Sequence, residues 1–261
     1  MKKPYILLIG VGRFGKNHLR VLKNLEREDL CSLYGVVDIN PNILERVSRK
    51  YKVEVSTTLE NFLDKVDAVD IVTPSMTHYG ICKKCLKAGE HVFVEKPLTT
   101  SYTQAKELVQ LAKEQKKTLM PGHIFRYNKA VQEIKGLIGE GALGRVYYMF
   151  GHFMGLKDPR SDTGALYNYA VHHIDIYNYL LNETPEEVLC CTGHFLGRRD
   201  LEDLFVLTLR YPSNILGVIE GSWLPPGKCR DLTVVGSRGS LVSDLLKQTL
   251  EVHESYVEER E

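Results

Sequence analysis

The chain has 261 residues, with 34 Lys and Arg against 33 Asp and Glu and a formal net charge of +1. That balance supplies no basic field for a phosphate backbone, which argues against a nucleic-acid partner. Hydrophobic residues make up 43% of the chain, yet no apolar run approaches the ~20 residues that span a bilayer, so no membrane partner is expected. The N-terminus begins with lysines and an apolar stretch. It then enters a glycine turn, with no small-residue cleavage site, so it reads as a buried first strand and the chain as cytoplasmic.

In chain order, YILLIG predicts a strand and Arg13 to about Glu28 a helix. LYGVVD is a second strand, Asn42 to Tyr51 a helix, and AVDIVTP a third strand. Thr77 to Ala88 is helical and Gly89 ends it; HVFVE follows as a strand. Ser101 to Lys117 predicts a long helix, with Ser101 as N-cap and Gln104 completing a capping box. TLMPGH is the next strand. Strands that are apolar throughout, each followed by a helix, predict a doubly wound parallel sheet of the Rossmann kind over residues 1–121.

The pattern changes after Gly122. Asn128 to Ile138 is helical, GEGALG is a glycine turn, and about Asn168 to Leu181 is a second helix. RVYYMFGHF, EEVLCCTGHF, DLFVLTLRY, NILGVIEGSW and RDLTVVG alternate in hydrophobicity. Residues 122–261 therefore predict an α+β domain with an open, mainly antiparallel sheet, packed on one face by helices. An open sheet face predicts self-association as a homodimer or homotetramer.

Gly10, Gly12 and Gly15 form a G-x-G-x-x-G between a strand and a helix, the context in which the motif binds a dinucleotide. The first glycine permits the turn, the second lets main chain approach the pyrophosphate, and the third lets helix and strand pack. Arg13 and Phe14 lie in the same loop and join the candidate cofactor contacts. Asp38 ends the second strand, 23 residues after Gly15. A carboxylate there accepts from ribose hydroxyls and repels a 2′-phosphate, which favours NAD over NADP; the alternative is a turn or helix-cap residue. Thr73 and Pro74 end the third strand, where a ligand crosses the carboxyl edge of such a sheet, or where the strand simply turns. Cys82 and Cys85 form a C-x-x-C within a helical pattern, without the context of a redox or zinc motif, and read as packing thiols.

The succession IGVGRFGKNH, VVDIN, TPSMTHYGICKKCLKAGEHVFVEKPL, GHIFRYN and VHHID resembles the Gfo/Idh/MocA oxidoreductases, in that family's order. The resemblance implies that Lys96 of Glu95-Lys96-Pro97 is the catalytic lysine, and that Glu95 and His78 belong to the cofactor side. It matches His172 and Asp175 to the histidine and last acid of the motif G-x-L-x-D-x-G-x-H-x-x-D, with His172 the second catalytic residue. Arg126, Asn128, Asn168, His172 and Asp175, with Lys96, are the implied substrate contacts. The sequence departs from the family in having Asn168 where an Asp is usual and Ala170 where a glycine is usual. Asn cannot take a proton, so an Asp–His relay is not expected. Family members typically continue further, so the chain reads as a compact member or as a fragment.

The chemistry these residues suit is hydride transfer between NAD and a secondary hydroxyl of a sugar. A half-buried lysine at a parallel strand end can move the hydroxyl proton and polarise the carbonyl; the bland reading is a solvated loop lysine. His172 and Asp175 share a helix face. Adjacent His172 and His173 diverge on a helix, so no metal site is expected there. Arg198 and Arg199 suit a substrate phosphate or an exposed turn. The VHHIDIYNYL and WLPPGKCRDLTVVGSRGSL segments resemble members acting on UDP-N-acetylhexosamines. Two other functions stay open: a regulator that binds dinucleotide without chemistry, and a reductase of a non-sugar carbonyl or imine.

Overall fold

The computed structural model describes residues 3–158, 163–196 and 201–255. The chain divides into two compact units, Met1–Gly122 and His123–Glu261.

In the first unit the strands are β1 (Tyr5–Ile9), β2 (Ser32–Val37), β3 (Glu54–Ser56), β4 (Ala68–Ile71), β5 (His91–Val94) and β6 (Leu119–Pro121). They pair in parallel in the order β3-β2-β1-β4-β5-β6. The helices α1 (Gly15–Arg27), α2 (Pro41–Tyr51), α3 (Ser75–Lys87) and α4 (Tyr102–Glu114) cover both faces. On β1, Leu7 and Ile9 enter one core with Cys82, Leu86 and Leu108, while Leu8 enters the other with Leu19, Leu22 and Leu44. Burial on both faces is why these strands are continuously apolar rather than alternating. The edge strand β3 has no apolar run of its own and was not predicted; it pairs only with β2.

Two local expectations change. Asn40 caps α2, its Oδ1 accepting from Asn42 N and Ile43 N. At α4, Ser101 takes the cap position but its hydroxyl makes no cap bond. Thr99 Oγ1 instead donates to Ser101 O and accepts from Ser101 N, at 2.6 and 3.3 Å. The predicted capping box of Ser101 and Gln104 is therefore replaced by a turn held one step earlier in the chain.

In the second unit the strands are β7 (Val146–Gly155), β8 (Glu187–Gly193), β9 (Leu204–Arg210), β10 (Leu216–Ser222), β11 (Lys228–Gly236), β12 (Gly239–Asp244) and β13 (Thr249–Glu254). Their order is β13-β12-β11-β7-β10-β9-β8. All neighbours are antiparallel except β7 and β10, which pair in parallel. The helices α5 (Lys129–Gly139) and α6 (Val171–Leu181) lie on one face. Met149, Phe153, Leu207, Ile219, Leu232 and Leu241 point into the core with Ile134, Ile176 and Trp223. The opposite face carries the cross-strand row Leu189, Thr208, Val218, Phe150, Thr233 and Val242, so the sheet is open on that side. The predicted helix from Asn168 is in fact two pieces: a π-helical turn, Leu166–Ala170, runs into α6. Among the described residues no helix is long and apolar enough to cross a membrane.

Candidate functional site

The three glycines of the first loop answer to three different constraints. Gly10 has φ +94°, and a Cβ there would stand 2.5 Å from the Val72 carbonyl oxygen, so only glycine can turn off β1. A Cβ at Gly15 would overlap the Gly10 carbonyl oxygen, so glycine lets α1 begin against the loop. A Cβ at Gly12 would meet nothing within 4 Å. Protein packing does not require that glycine; an approaching ligand would.

The start of α1 suits an anion. Its first turn has no acidic residue and no side-chain cap among the described residues. The main-chain N–H groups of Gly12, Arg13 and Phe14 have no partner among the described residues, and all three residues are exposed. Open donors at a helix N-terminus favour phosphate. The loop lies at the carboxyl ends of β1 and β4, where the strand order reverses, which is where ligands enter such sheets.

Asp38 closes the opposite side of this loop. Its Oδ2 accepts from Val11 N at 2.8 Å and its Oδ1 from Asn40 N at 2.9 Å. The carboxylate is thus a turn residue as well as a candidate ribose acceptor, since each oxygen keeps a second lone pair. Thr73 Oγ1 accepts from Thr77 Oγ1 at 2.7 Å, and Pro74 is exposed at the start of α3. His78 is buried, with Nδ1 2.8 Å from Pro97 O and Nε2 2.9 Å from Thr73 O. Its ring ties two loop segments together, and both nitrogens are occupied by main chain. His78 thereby supports the loops that follow β4 and β5.

Glu95 and Lys96 leave the carboxyl end of β5, both half-buried. Glu95 Oε2 accepts from Lys96 N at 3.2 Å. Sequence reasoning missed the partner of this pair, His18 on α1, whose Nε2 stands 3.4 Å from Glu95 Oε1 and whose Nδ1 stands 3.0 Å from Asp70 Oδ2. A signal existed: His18 falls in the stripe of Gly15, Leu19 and Leu22 that α1 buries. Burial opposes charge on His18, but its pairing with the Asp70 and then the Glu95 carboxylate raises its pKa to about 9. Burial raises the Cys82 thiol to about 12 and pushes Cys85 in the same direction, as befits packing thiols.

In the second unit, α6 and its π-turn place the polar residues. A π-turn inserts an extra residue per turn and rotates the side chains that follow it, a feature frequent at functional sites. Asn168 is buried within that turn. His172 is buried about one turn later, stacked on Phe153 at 4.9 Å and edge-on to Phe125 at 5.1 Å. Asp175 is engaged by Arg126, whose Nε and Nη2 donate to its carboxylate in a bidentate pair at 2.6–3.1 Å. His123 Nδ1 stands 3.7 Å from the same carboxylate. The carboxylate raises the Arg126 pKa further, and the Arg126 side chain is 46% exposed.

Asn128 Oδ1 accepts from Ala130 N and Val131 N, capping α5, and its Nδ2 donates to Leu245 O at 2.9 Å. The side chain is buried and serves the fold as a cap and a tether. His173 diverges from His172 as a helix requires: its Nε2 meets Asp231 O at 2.8 Å, and full burial lowers its pKa to about 4. Gly151 makes room for that ring, since a Cβ there would lie 2.6 Å from Nε2. Sequence reasoning also missed Arg230, whose guanidinium lies 3.5 Å over the Phe153 ring. His152, Cys229 and Asp231 come together on β7 and β11, but Asp231 already accepts from both the His152 ring and Cys229 Sγ, so the cluster closes on itself. Arg198 and Arg199 lie outside the described residues.

Comparison with known proteins follows the same division of the chain. The profile described as an oxidoreductase family with an NAD-binding Rossmann fold, GFO/IDH/MocA, matches residues 5–123. The GFO/IDH/MocA C-terminal domain matches residues 131–242. Myo-inositol 2-dehydrogenase of Thermotoga maritima is 27% identical over 258 residues, spanning 93% of this chain and 75% of that protein. UDP-N-acetylglucosamine 3-dehydrogenase of Acidithiobacillus ferrooxidans is 29% identical over 182 residues, 69% of this chain and 55% of its own length. The crystal structure of the WlbA dehydrogenase of Bordetella pertussis, in complex with NADH and UDP-GlcNAcA, is 25% identical with a TM-score of 0.89, covering 99% of this chain and 79% of that one.

Proposed function

The chain belongs to the GFO/IDH/MocA family of NAD-binding oxidoreductases, and from that premise we propose that it oxidises or re-forms a secondary hydroxyl of a nucleotide-activated sugar of UDP-N-acetylhexosamine type. The observation that carries the reading is the position of Lys96. It leaves the carboxyl end of β5, on the edge of the sheet where Gly10–Gly15, Asp38 and Thr73 also lie.

Gly12, Arg13 and Phe14 would hold the pyrophosphate through main-chain N–H groups, and Asp38 the adenosine ribose. NAD held there would supply the hydride acceptor, or donor, for the carbinol carbon. Lys96 Nζ accepts or returns the hydroxyl proton and, as a cation, polarises the carbonyl oxygen. His172 is the second proton-carrying contact to the sugar. Asn168 orients a hydroxyl by hydrogen bonding without taking its proton. Arg126, held by Asp175, presents its remaining N–H groups to anionic oxygens, which supports a diphosphate-bearing substrate over a free sugar.

The test is NADH formation or consumption with myo-inositol, free hexoses, UDP-N-acetylglucosamine and its uronic acid. Turnover that Lys96→Ala abolishes and that is fastest on a UDP-sugar is the expected result. Cofactor binding with no turnover on any of them would refute the reading and favour the regulator, to which the replacement of an acid by Asn168 already lends support.

A further inference from the structure

His18, Asp70 and Glu95 come from three separate elements, α1, β4 and the segment after β5. Each side chain is at most 14% exposed. His18 Nδ1 lies 3.1 and 3.0 Å from the two Asp70 oxygens, and Nε2 lies 3.4 Å from Glu95 Oε1. These two carboxylates are the charged groups that face the ring. Phe14 and Phe93 flank it at 5.3 and 6.1 Å. A neutral imidazole has one donor, and its other nitrogen would turn a lone pair toward a carboxylate. With a carboxylate at each nitrogen, the geometry is that of an imidazolium donating to Asp70 and paired in charge with Glu95, and the elevated pKa agrees with it.

Glu95 is gripped from three sides. Oε1 faces His18, and Oε2 accepts the Lys96 N–H. Gly122 packs so closely that a Cβ there would stand 3.1 Å from Oε1. Its carboxylate is thus held between His18 and the Lys96 N–H, and the main chain at Lys96 is referred to it. The same imidazole is rooted in the helix whose N-terminus carries the glycine loop.

We propose that His18 is a positioning residue for Lys96: as a cation it anchors Glu95, Glu95 fixes the Lys96 main chain, and the glycine-loop helix and the lysine segment are thereby held in one register. Asp70 supplies the buried counter-charge that keeps the ring oriented. The proposal rests on Lys96 being the proton-handling group, and it adds the device that places it. Removing the imidazole leaves Asp70 and Glu95 as two neighbouring carboxylates with no cation between them, so Glu95 moves or takes up a proton and the Lys96 main chain follows.

The experiment reads Lys96 without needing turnover. Protein with and without NAD is labelled with limiting acetic anhydride across a pH series, and the Lys96 acetylation rate is read by peptide mass spectrometry. His18→Gln, which removes the charge but keeps a donor, should change that rate about threefold or more, the equivalent of half a pKa unit. His18→Lys, which restores a cation, should bring it back toward wild type, while NAD affinity stays within about threefold in both, as expected if the phosphate-binding N–H groups are untouched. An unchanged Lys96 rate in His18→Gln overturns the proposal. So does a roughly tenfold or greater loss of NAD affinity in folded His18→Gln protein, because the ring would then be acting on the phosphate loop rather than on Lys96. Where His18→Gln does not fold, 15N-histidine NMR of the wild type decides: the His18 imidazolium should keep its proton past pH 8, and titration near 6.5 overturns the proposal. A Lys96 response without turnover on any sugar supports the positioning while refuting the proposed reaction. Turnover without a Lys96 response refutes the positioning alone.

Discussion

Replacing Gly12 by alanine should separate cofactor binding from folding. A Cβ at this position meets no atom within 4 Å, and its φ is not in the left-handed region that only glycine adopts freely. The unliganded protein should therefore fold as well as wild type, and loss of chain entropy in the unfolded state can add about 0.4–1 kcal/mol of stability. The added methyl instead occupies the space through which an anion reaches the loop N–H groups. Losing one charge-assisted hydrogen bond costs about 1.5–3 kcal/mol, which weakens NADH binding roughly 10- to 100-fold. NADH fluorescence titration measures the dissociation constant. Thermal melts with and without NADH check the same loss, since saturation at about 100 times Kd should stabilise the wild type by ~2.7 kcal/mol and the variant by much less. Gly10→Ala is the contrast: with φ +94° and a Cβ 2.5 Å from the Val72 carbonyl oxygen, it should fail to fold rather than fail to bind. If Gly12→Ala binds NADH within about twofold of wild type, the loop is not the phosphate site argued from its geometry.

His173 should make the fold acid-sensitive. Its folded pKa of about 4 lies below the unfolded value near 6.5, so the unfolded chain takes up a proton that the native state refuses. Stability is then full above pH 6.5 and falls by about 3 kcal/mol as pH drops through this window. Urea midpoints across pH measure it, and an equal slope in His173→Gln would refute the assignment. His18 acts in the opposite sense: its contribution is complete below pH 6.5 and is lost as pH rises through about 9. Asn128→Ala should cost about 1–2 kcal/mol through the lost cap of α5 with the sugar KM unchanged; a raised KM at unchanged stability would identify Asn128 as a substrate contact. The open sheet face should hold two or four copies together. Light scattering is expected to give a dimer or tetramer that Val206→Glu, on an exposed residue of that face, converts to monomer, and a wild-type monomer at micromolar concentration would contradict the expectation.

The first unit was readable because its signals are local. The strand, glycine loop and helix of residues 5–27 are contiguous, and steric reasons at Gly10 and Gly15 act between near neighbours or across one strand pair. A cap such as Asn128 is equally local: an Asn directly ahead of the Lys129–Gly139 helix is a common N-cap. β12 and β13 also carried a usable alternation, in GSLVSD and TLEVHE, and were passed over after RDLTVVG. The parallel pairing of β7 with β10 had no such signal, because periodicity fixes which face a residue occupies and not which strand lies beside it.

By itself the sequence determined two halves of different grammar, an NAD-binding parallel sheet at the front, and the residue types that suit hydride transfer from a hydroxyl. The two halves and the glycine loop follow from residues within about one element of each other, where backbone sterics and the 2.0 and 3.6 periods operate; the residues for hydride transfer were implied by the family resemblance. Only the tertiary structure decided what each polar side chain is engaged with. Asp175 spends its carboxylate on Arg126, 49 residues earlier, and His18 meets Asp70, 52 residues later. Hydrogen bonds and charge pairs depend on distance in space, and chain separation of that size leaves no pattern to read. The tertiary structure likewise turned His78 and Asn128 into supports and brought forward His18, an unassigned histidine, as the partner of Glu95.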